Sequence, residues 1–251
     1  MKRNIALLFC AALTGGWFWD STPPVTNRTP IPAQTTTLAS ITMHAPSEWG
    51  NSSSGGTDAA AFLTKNYYVV FDGSGSMSDS ECSGGDYHGR IAPARRAMVD
   101  FAHSLPVDAN LGLYVFDANS WSERVPLGHG PANRASYDRA INDTVAGNAT
   151  PLGASLQIAY EALRKQSLKQ NGYGEYYIVV VTDGGATDGD LMAKMVRKIA
   201  ATPVVLETIG FCIPQGHALN QPGLTLYQGA DNPVDLANGL AKVLAESENF
   251  K

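Results

Sequence analysis

Three short polar segments carry the side chains in this sequence that are best suited to hold a cation. The first segment reads DGSGS and contains Asp72, Ser74 and Ser76, whose oxygens alternate across a turn and can converge on one point. Thr150 adds a hydroxyl and Asp183 adds a second carboxylate. An all-oxygen set with two carboxylates suits Mg²⁺, with Mn²⁺ or Ca²⁺ as alternatives. The side-chain chemistry therefore predicts a divalent metal site.

The three segments stand next to regular elements that can bring them together. Residues 67–71 and 176–182 are continuous apolar runs, typical of strands buried on both faces. Asp72 follows the first run, Asp183 follows the second, and Thr150 precedes a predicted helix at 152–169. Ligands of doubly wound sheets gather at the carboxyl ends of the strands, so we expect the three segments to meet there.

The rest of the chain past residue 65 alternates in the same way between strand and helix patterns. This alternation predicts an α/β fold, with a doubly wound, mostly parallel sheet and helices on both faces. Further strands are predicted at 111–116, 123–127, 203–211 and 224–227, and further helices at 91–105, 133–145, 191–200 and from Pro233 onward.

Composition excludes several classes of protein. The 251 residues are 44% hydrophobic and 16% charged, with a net charge of -5, and the basic residues form no cluster. We therefore expect no nucleic-acid partner. Three cysteines without C-x-x-C spacing exclude a zinc module of that type and a disulfide-built scaffold.

The first 63 residues differ from the remainder. Residues 1–16 combine two basic residues, an apolar run and small residues, which is typical of a signal peptide. The protein is then exported, to the periplasm, the cell surface or the medium; if the segment is not cleaved, it anchors the protein in a membrane. Residues 17–63 are rich in Ser, Thr and Pro and predict a flexible linker. The ordered domain is predicted at 64–251.

The ordered part resembles the von Willebrand factor A (VWA) domain, whose metal-ion-dependent adhesion site (MIDAS) has the pattern D-x-S-x-S, then a distant Thr, then a distant Asp followed by Gly. Asp72, Ser74, Ser76, Thr150 and Asp183 match every position of that pattern. The resemblance implies a protein-binding module for adhesion or assembly rather than an enzyme. It also implies a protein partner whose Asp or Glu completes the metal shell.

Two other functions remain open from the residues alone. One is a metal-dependent hydrolase or phosphoesterase, although the chain has no G-x-S-x-G motif and no second Asp two residues after Asp72. The other is a scaffold domain that has lost its ion. The histidines show no metal-ligand spacing, and we assign each to the surface or to a loop: His44, His88, His103, His129 and His217.

The polar loop at 77–90 follows the DGSGS segment and is expected to form part of the rim of the site. It carries Asp79, Glu81 and Asp86, which we expect to be solvated. Cleavage of the signal would leave two cysteines, Cys82 in this loop and Cys212 after the strand at 203–211. The family's sheet order separates the two strand ends by about 10 Å, but the ten residues from Asp72 to Cys82 can span that distance. We predict a Cys82–Cys212 disulfide, with two free thiols as the alternative.

Overall fold

The computed structural model describes Trp49 and residues 62–85, 87–213 and 216–249. The predicted signal peptide at 1–16, nearly all of the predicted linker at 17–63, and Asp86 lie outside the described residues, so the domain boundaries stay predictions. Within the described ranges, no helix has the length and apolar character needed to cross a membrane.

A six-stranded sheet forms the centre of the fold, in the order β3-β2-β1-β4-β5-β6. Every neighbouring pair is parallel except β2 and β3, which are antiparallel. This arrangement confirms the predicted doubly wound, mostly parallel sheet. The strands are β1 (Lys65–Asp72), β2 (Asn110–Phe116), β3 (Trp121–Gly128), β4 (Glu175–Thr182), β5 (Val204–Phe211) and β6 (Leu226–Ala230).

Strand β1 shows why the central strands are apolar without interruption. Tyr67, Val69 and Phe71 point into the hydrophobic cluster on one face of the sheet. Tyr68 and Val70, which alternate with them, point into the cluster on the other face. Because both faces are covered, every residue of this run must be compatible with burial.

Helices cover the two faces. The helices are α1 (Ile91–Ser104), α2 (Pro131–Asn142), α3 (Leu152–Lys169), α4 (Gly189–Ala200) and α5 (Pro233–Asn249). Helices α1, α2 and α5 pack on one face, and α3 and α4 pack on the other. Each helix presents apolar residues at helical spacing, as Leu152, Leu156 and Leu163 do in α3.

Helix α2 begins and ends earlier than the predicted range of 133–145. It begins at Pro131, directly after Gly130, whose φ of 87° is outside the helical region. It ends at Asn142, and the backbone N–H of Val145 donates to Asp117 Oδ2 at 3.1 Å rather than to a helical carbonyl. A buried carboxylate from another loop therefore competes for the end of the predicted helix.

Strand β6 begins at Leu226, two residues after the start of the predicted range of 224–227. The N–H groups of Leu224 and Thr225 both donate to the carbonyl oxygen of Gln221, at 2.9 and 3.0 Å. These donors close a turn and cannot join the ladder with β5, so pairing begins at Leu226.

Trp49 belongs to the packed part of the chain although it falls within the predicted linker. Its side chain is 5% exposed. The ring makes edge-on contacts with Tyr160 and Tyr176, at centroid distances of 5.7 and 5.4 Å. Trp49 therefore contributes to the core between the sheet and helix α3.

The sheet order creates a crevice at the carboxyl end of β1. The chain leaves β1 to form β2 on one side and later returns to form β4 on the other side. Connections at such a switch point diverge and leave space for a ligand. Asp72 ends β1 and Thr182 ends β4 at this position.

Candidate metal centre

Asp72 lies at the base of the crevice and is fully buried. Its Oδ1 accepts the backbone N–H of Ser74 at 2.7 Å, and its Oδ2 accepts the hydroxyl of Thr182 at 2.6 Å. Burial, and then the nearby charge of Asp183, raise the pKa of Asp72 to about 6. A cation bound beside Asp72 would offset both effects, because it would favour the ionised carboxylate.

Ser74, Ser76 and Asp183 form a continuous chain of oxygen atoms next to Asp72. The two serine hydroxyl oxygens are 3.2 Å apart. The Ser76 hydroxyl donates to Asp183 Oδ1 at 2.7 Å, across 107 residues of sequence. The fold therefore brings both ends of the predicted motif together.

Thr150 reaches the same place because its loop pairs with the DGSGS turn. The N–H of Gly147 donates to the Gly73 carbonyl at 2.9 Å, and the N–H of Gly75 donates to the Asn148 carbonyl at 3.1 Å. A Cβ atom at Gly73 would lie 2.8 Å from the Asp117 side chain, so only glycine permits this close approach. Thr150 itself is 7% exposed.

Gly184, in the third segment, lies next to hydroxyl groups of the other two segments. A Cβ atom built at Gly184 would lie 3.4 Å from Ser76 Oγ and 3.7 Å from Thr150 Oγ1. Because Gly184 has no side chain, nothing from this position covers the Ser76 and Thr150 hydroxyls.

Asp188 fixes the loop that follows Asp183 against helix α3. Its two carboxylate oxygens accept the N–H groups of Gly153 and Ala154, at 2.9 and 2.8 Å. These N–H groups belong to the first turn of α3, where a carboxylate is favoured. Asp188 therefore holds the Asp183 loop beside the helix that follows Thr150. We did not predict this role, because a capping residue 35 residues away leaves no local pattern.

Arg90 is the second residue that the sequence analysis missed. It is 6% exposed, and its Nη1 donates to Asp183 Oδ2 at 2.9 Å. Burial raises the pKa of Asp183, while the bonds from Ser76 and Arg90 oppose that rise. The two carboxylates of the site therefore differ, since within the described part of the chain only Asp183 of the two touches a positively charged group.

His217 lies in a loop, as predicted, and is nevertheless buried, with only 8% of it exposed. Its Nε2–H donates to the Gly184 carbonyl at 2.9 Å, and its Nδ1 accepts the N–H of Leu219 at 3.2 Å. This pair of bonds requires the neutral ring and braces the Asp183–Gly184 turn.

The predicted disulfide is present between Cys82 and Cys212, with a Cα–Cα distance of 5.8 Å. The loop crosses β4 to reach the end of β5, as the strand order requires. Both cysteines have positive φ, 58° and 59°, which is uncommon outside glycine and asparagine. The disulfide therefore ties the loop that carries Arg90 to the sheet.

The five candidate ligands offer only oxygen donors, two carboxylates and three hydroxyls. Among the described residues, no three or more His, Cys, Asp or Glu side chains are grouped to hold a metal. An ion in the crevice would have the serine and threonine hydroxyls available together with the two aspartates. Such a set fits a hard cation that retains water ligands.

Comparison with known proteins supports the fold. Residues 67–186 match the family of the von Willebrand factor type A domain. A curated relative, the uncharacterized protein YwmD of Bacillus subtilis (strain 168), is 29% identical over 160 residues, which are 58% of this chain and 67% of YwmD. With the sheet order, these matches show that residues 67–186 are similar to the von Willebrand factor type A domain.

Two solved structures illustrate the range of proteins that share this fold. The pilus adhesin SpaC from Lactobacillus rhamnosus GG matches with a TM-score of 0.60 and 14% identity, covering 73% of this chain and 30% of SpaC. The manganese-loaded TRAP protein of Plasmodium vivax matches with a TM-score of 0.51 and 20% identity, covering 70% of this chain and 72% of the other. This chain thus spans less than a third of the adhesin.

Proposed function

We propose that Asp72, Ser74, Ser76, Thr150 and Asp183 hold a divalent cation, with Mg²⁺ as the physiological ion and Mn²⁺ or Ca²⁺ as substitutes. The observation that carries the proposal is the Ser76–Asp183 hydrogen bond, which joins the two distant parts of the motif at one crevice. The raised pKa of Asp72, to about 6, adds support because a bound cation would relieve the repulsion from Asp183.

We propose that the bound ion would serve protein–protein adhesion or assembly rather than catalysis. A cation in the crevice supplies an electrophilic position for one further anionic ligand. We propose that this ligand is an Asp or Glu side chain of a protein partner. Without the ion, the two site carboxylates would repel such a group. The adhesin among the proteins of similar fold is consistent with this function.

We also propose that the protein is exported. The signal-like segment at 1–16 is the first support. The Cys82–Cys212 disulfide is the second, because disulfides persist mainly in oxidising compartments. Attachment to a membrane would require that segment to remain uncleaved.

Ion binding is tested first, by titrating Mg²⁺ into the purified chain in a calorimeter. We expect saturable binding at one site, and an increase in melting temperature that a chelator reverses. Asp72→Asn should abolish both effects. Asp190→Asn is the matched control, because it makes the same charge change at an exposed position in the first turn of α4. No binding at millimolar Mg²⁺ would overturn the proposed metal site.

Partner binding is tested with immobilised protein and an extract of the host, in Mg²⁺ and in chelator. We expect a bound protein that is absent in chelator and absent with Asp72→Asn. Substitution of an Asp or Glu on the identified partner should then abolish binding. Capture that ignores both the metal and Asp72→Asn would show that another face makes the contact.

A further inference from the structure

The two carboxylate oxygens of Asp183 have different partners: one faces the candidate metal site, and the other contacts a buried arginine. Oδ1 accepts the Ser76 hydroxyl at 2.7 Å, on the side of the other predicted ligands. Oδ2 accepts Arg90 Nη1 at 2.9 Å. The Arg90 side chain is only 7% exposed and that of Asp183 is fully buried, so solvent screens this ion pair weakly.

Arg90 is held in place by several contacts. Its Nε donates to the Glu81 carbonyl at 3.1 Å, and its backbone N–H donates to the Asp79 carbonyl at 3.0 Å. The residue before it, Gly89, has a φ of +98°, and a Cβ there would lie 2.9 Å from the Ser78 carbonyl oxygen. The loop therefore needs glycine at this point to deliver Arg90 to the crevice.

The acids of the loop give Arg90 further partners outside the metal site. Its Nη2 lies 3.4 Å from Glu81 Oε2, and its Nη1 lies 3.9 Å from Asp79 Oδ2. Both carboxylates are largely exposed, with side-chain exposures of 85% and 61%. Arg90 would thus keep counter-charges if a cation drew Asp183 away from it.

The guanidinium changes the charge balance at the crevice. Asp72 and Asp183 without Arg90 would present two negative charges to a divalent cation, whereas the three groups together present one. Like charges repel strongly where water is excluded. A cation in the site would therefore be held less tightly with Arg90 present, and the loaded site would retain a positive charge for an acidic partner.

We infer that Arg90 is a built-in counter-cation that stabilises the ion-free site and lowers its affinity for the divalent ion. This inference rests on the proposed function, because it concerns the same ion. Arg90 is a positioning residue rather than a ligand: it acts on the ion through Asp183. The site is thereby set to exchange its ion instead of retaining it permanently.

The test uses the full chain with Arg90→Gln, Arg90→Lys and the control Arg96→Gln. Arg96 lies on α1 with a side-chain exposure of 74%, so its substitution makes the same charge change on the surface. Calorimetry gives the Mg²⁺ dissociation constant, and thermal unfolding in chelator gives the stability of the ion-free protein.

Arg90→Gln should bind Mg²⁺ about tenfold more tightly or better and should melt at a lower temperature in chelator. Arg90→Lys, which keeps the charge, should bind close to the unsubstituted protein, and Arg96→Gln should change neither quantity. The opposite signs of the two effects distinguish a charge role from a structural role, because a damaged site would lose stability and ion affinity together.

Weaker or unchanged Mg²⁺ binding by Arg90→Gln, with normal binding by the unsubstituted chain, would overturn this inference and leave the metal site intact. Binding by neither protein would overturn the proposed function as well. If Arg90→Gln does not fold, Arg90→Met replaces it, because methionine removes the charge and keeps an unbranched side chain. Equal Mg²⁺ binding by Arg90→Met and the unsubstituted chain would equally overturn the inference.

Discussion

At the residue scale, the two carboxylates of the candidate site have different surroundings. Within the described residues, Asp72 accepts hydrogen bonds from two neutral groups, the Ser74 N–H and the Thr182 hydroxyl. Asp183 accepts from Arg90 as well. Burial raises the pKa of both, and that of Asp72 reaches about 6. Asp72 is therefore the proposed ligand at which protons would compete with a cation just below neutral pH.

Mg²⁺ binding should weaken as the pH falls below about 6. The raised pKa means that folded Asp72 holds its proton more tightly than the unfolded chain, so its contribution to ion-free stability falls as pH rises from 3.8 to about 6. The cation binds the ionised form, and its stabilising effect therefore grows over that range. The apparent affinity at pH 5 should be about tenfold lower than at pH 7.5.

Calorimetry at the two pH values measures this change. Asp72→Asn is the control, since it should show no Mg²⁺ binding at either pH. Equal Mg²⁺ affinity at pH 5 and pH 7.5 would contradict the assignment of Asp72 as a proton-sensitive ligand.

At the element scale, two strands place the site carboxylates, and a loop held by a disulfide places Arg90 beside them. Strands β1 and β4 place Asp72 and Asp183 side by side, because they are neighbours in the sheet. The 77–90 loop then brings Arg90 into contact with Asp183, and the Cys82–Cys212 bridge ties that loop to the end of β5. Rigid strands and a tethered loop together define the candidate site.

Loss of the disulfide should destabilise the domain by about 2–5 kcal/mol, because the bridge restricts the unfolded chain. The double variant Cys82→Ser/Cys212→Ser should therefore unfold at lower denaturant concentration than the unsubstituted chain. A reductant should lower the stability of the unsubstituted chain and leave the double variant unchanged. Two titratable thiols in the native, unreduced protein would contradict the bridge.

A second prediction at this scale concerns Glu207, which lies on β5 with 1% exposure. Its Oε2 has no hydrogen-bond partner within the described part of the chain. Burial, and then Glu246 on helix α5, raise its pKa to about 8. Because the unfolded chain ionises near 4.5 and the folded chain near 8, this residue lowers the unfolding free energy as pH rises between those values.

Glu207→Gln should remove a slope of about 1.4 kcal/mol per pH unit from the unfolding free energy between pH 5 and pH 8. Urea unfolding at several pH values measures the slope. Glu161→Gln is the control, because Glu161 is partly exposed and paired with Arg164. Identical pH slopes for Glu207→Gln and the unsubstituted chain would contradict the raised pKa.

At the scale of the whole molecule, the core on the α3–α4 face includes a residue from before the first strand. Trp49 packs against Tyr160 of α3 and Tyr176 of β4. Aromatic side chains of this size bury a large apolar area. The stability of the domain therefore depends on a residue that precedes the segment matched by the family at 67–186.

Trp49→Ala should cost about 3–5 kcal/mol of unfolding free energy, the usual cost of removing a large buried aromatic ring. Trp49→Phe should cost less because it retains an aromatic ring. Trp121, at 50% exposure, provides the matched control, and Trp121→Ala should have little effect. Denaturant unfolding measures all three variants, and an unchanged midpoint for Trp49→Ala would contradict the packing.

The amino-acid sequence by itself determined the sheet and the five candidate ligands. Continuous apolar runs such as 176–182 predict buried strands because burial on both faces demands them. Asp72 and Asp183 were predictable as neighbours because parallel strands end at the same edge. The Cys82–Cys212 pairing was predictable because cleavage of the predicted signal peptide would leave only these two of the three cysteines.

Only the tertiary structure decided which further side chains touch the site. Arg90 reaches Asp183 across 93 residues, and His217 reaches Gly184 across 33. Neither contact has a periodic pattern, since each depends on the path of an irregular loop. The end of α2 also depends on a tertiary contact, because Asp117 accepts a hydrogen bond from the N–H of Val145. Local sequence specifies elements through burial and backbone preference, whereas contacts between loops arise only when the packed sheet brings the loops together.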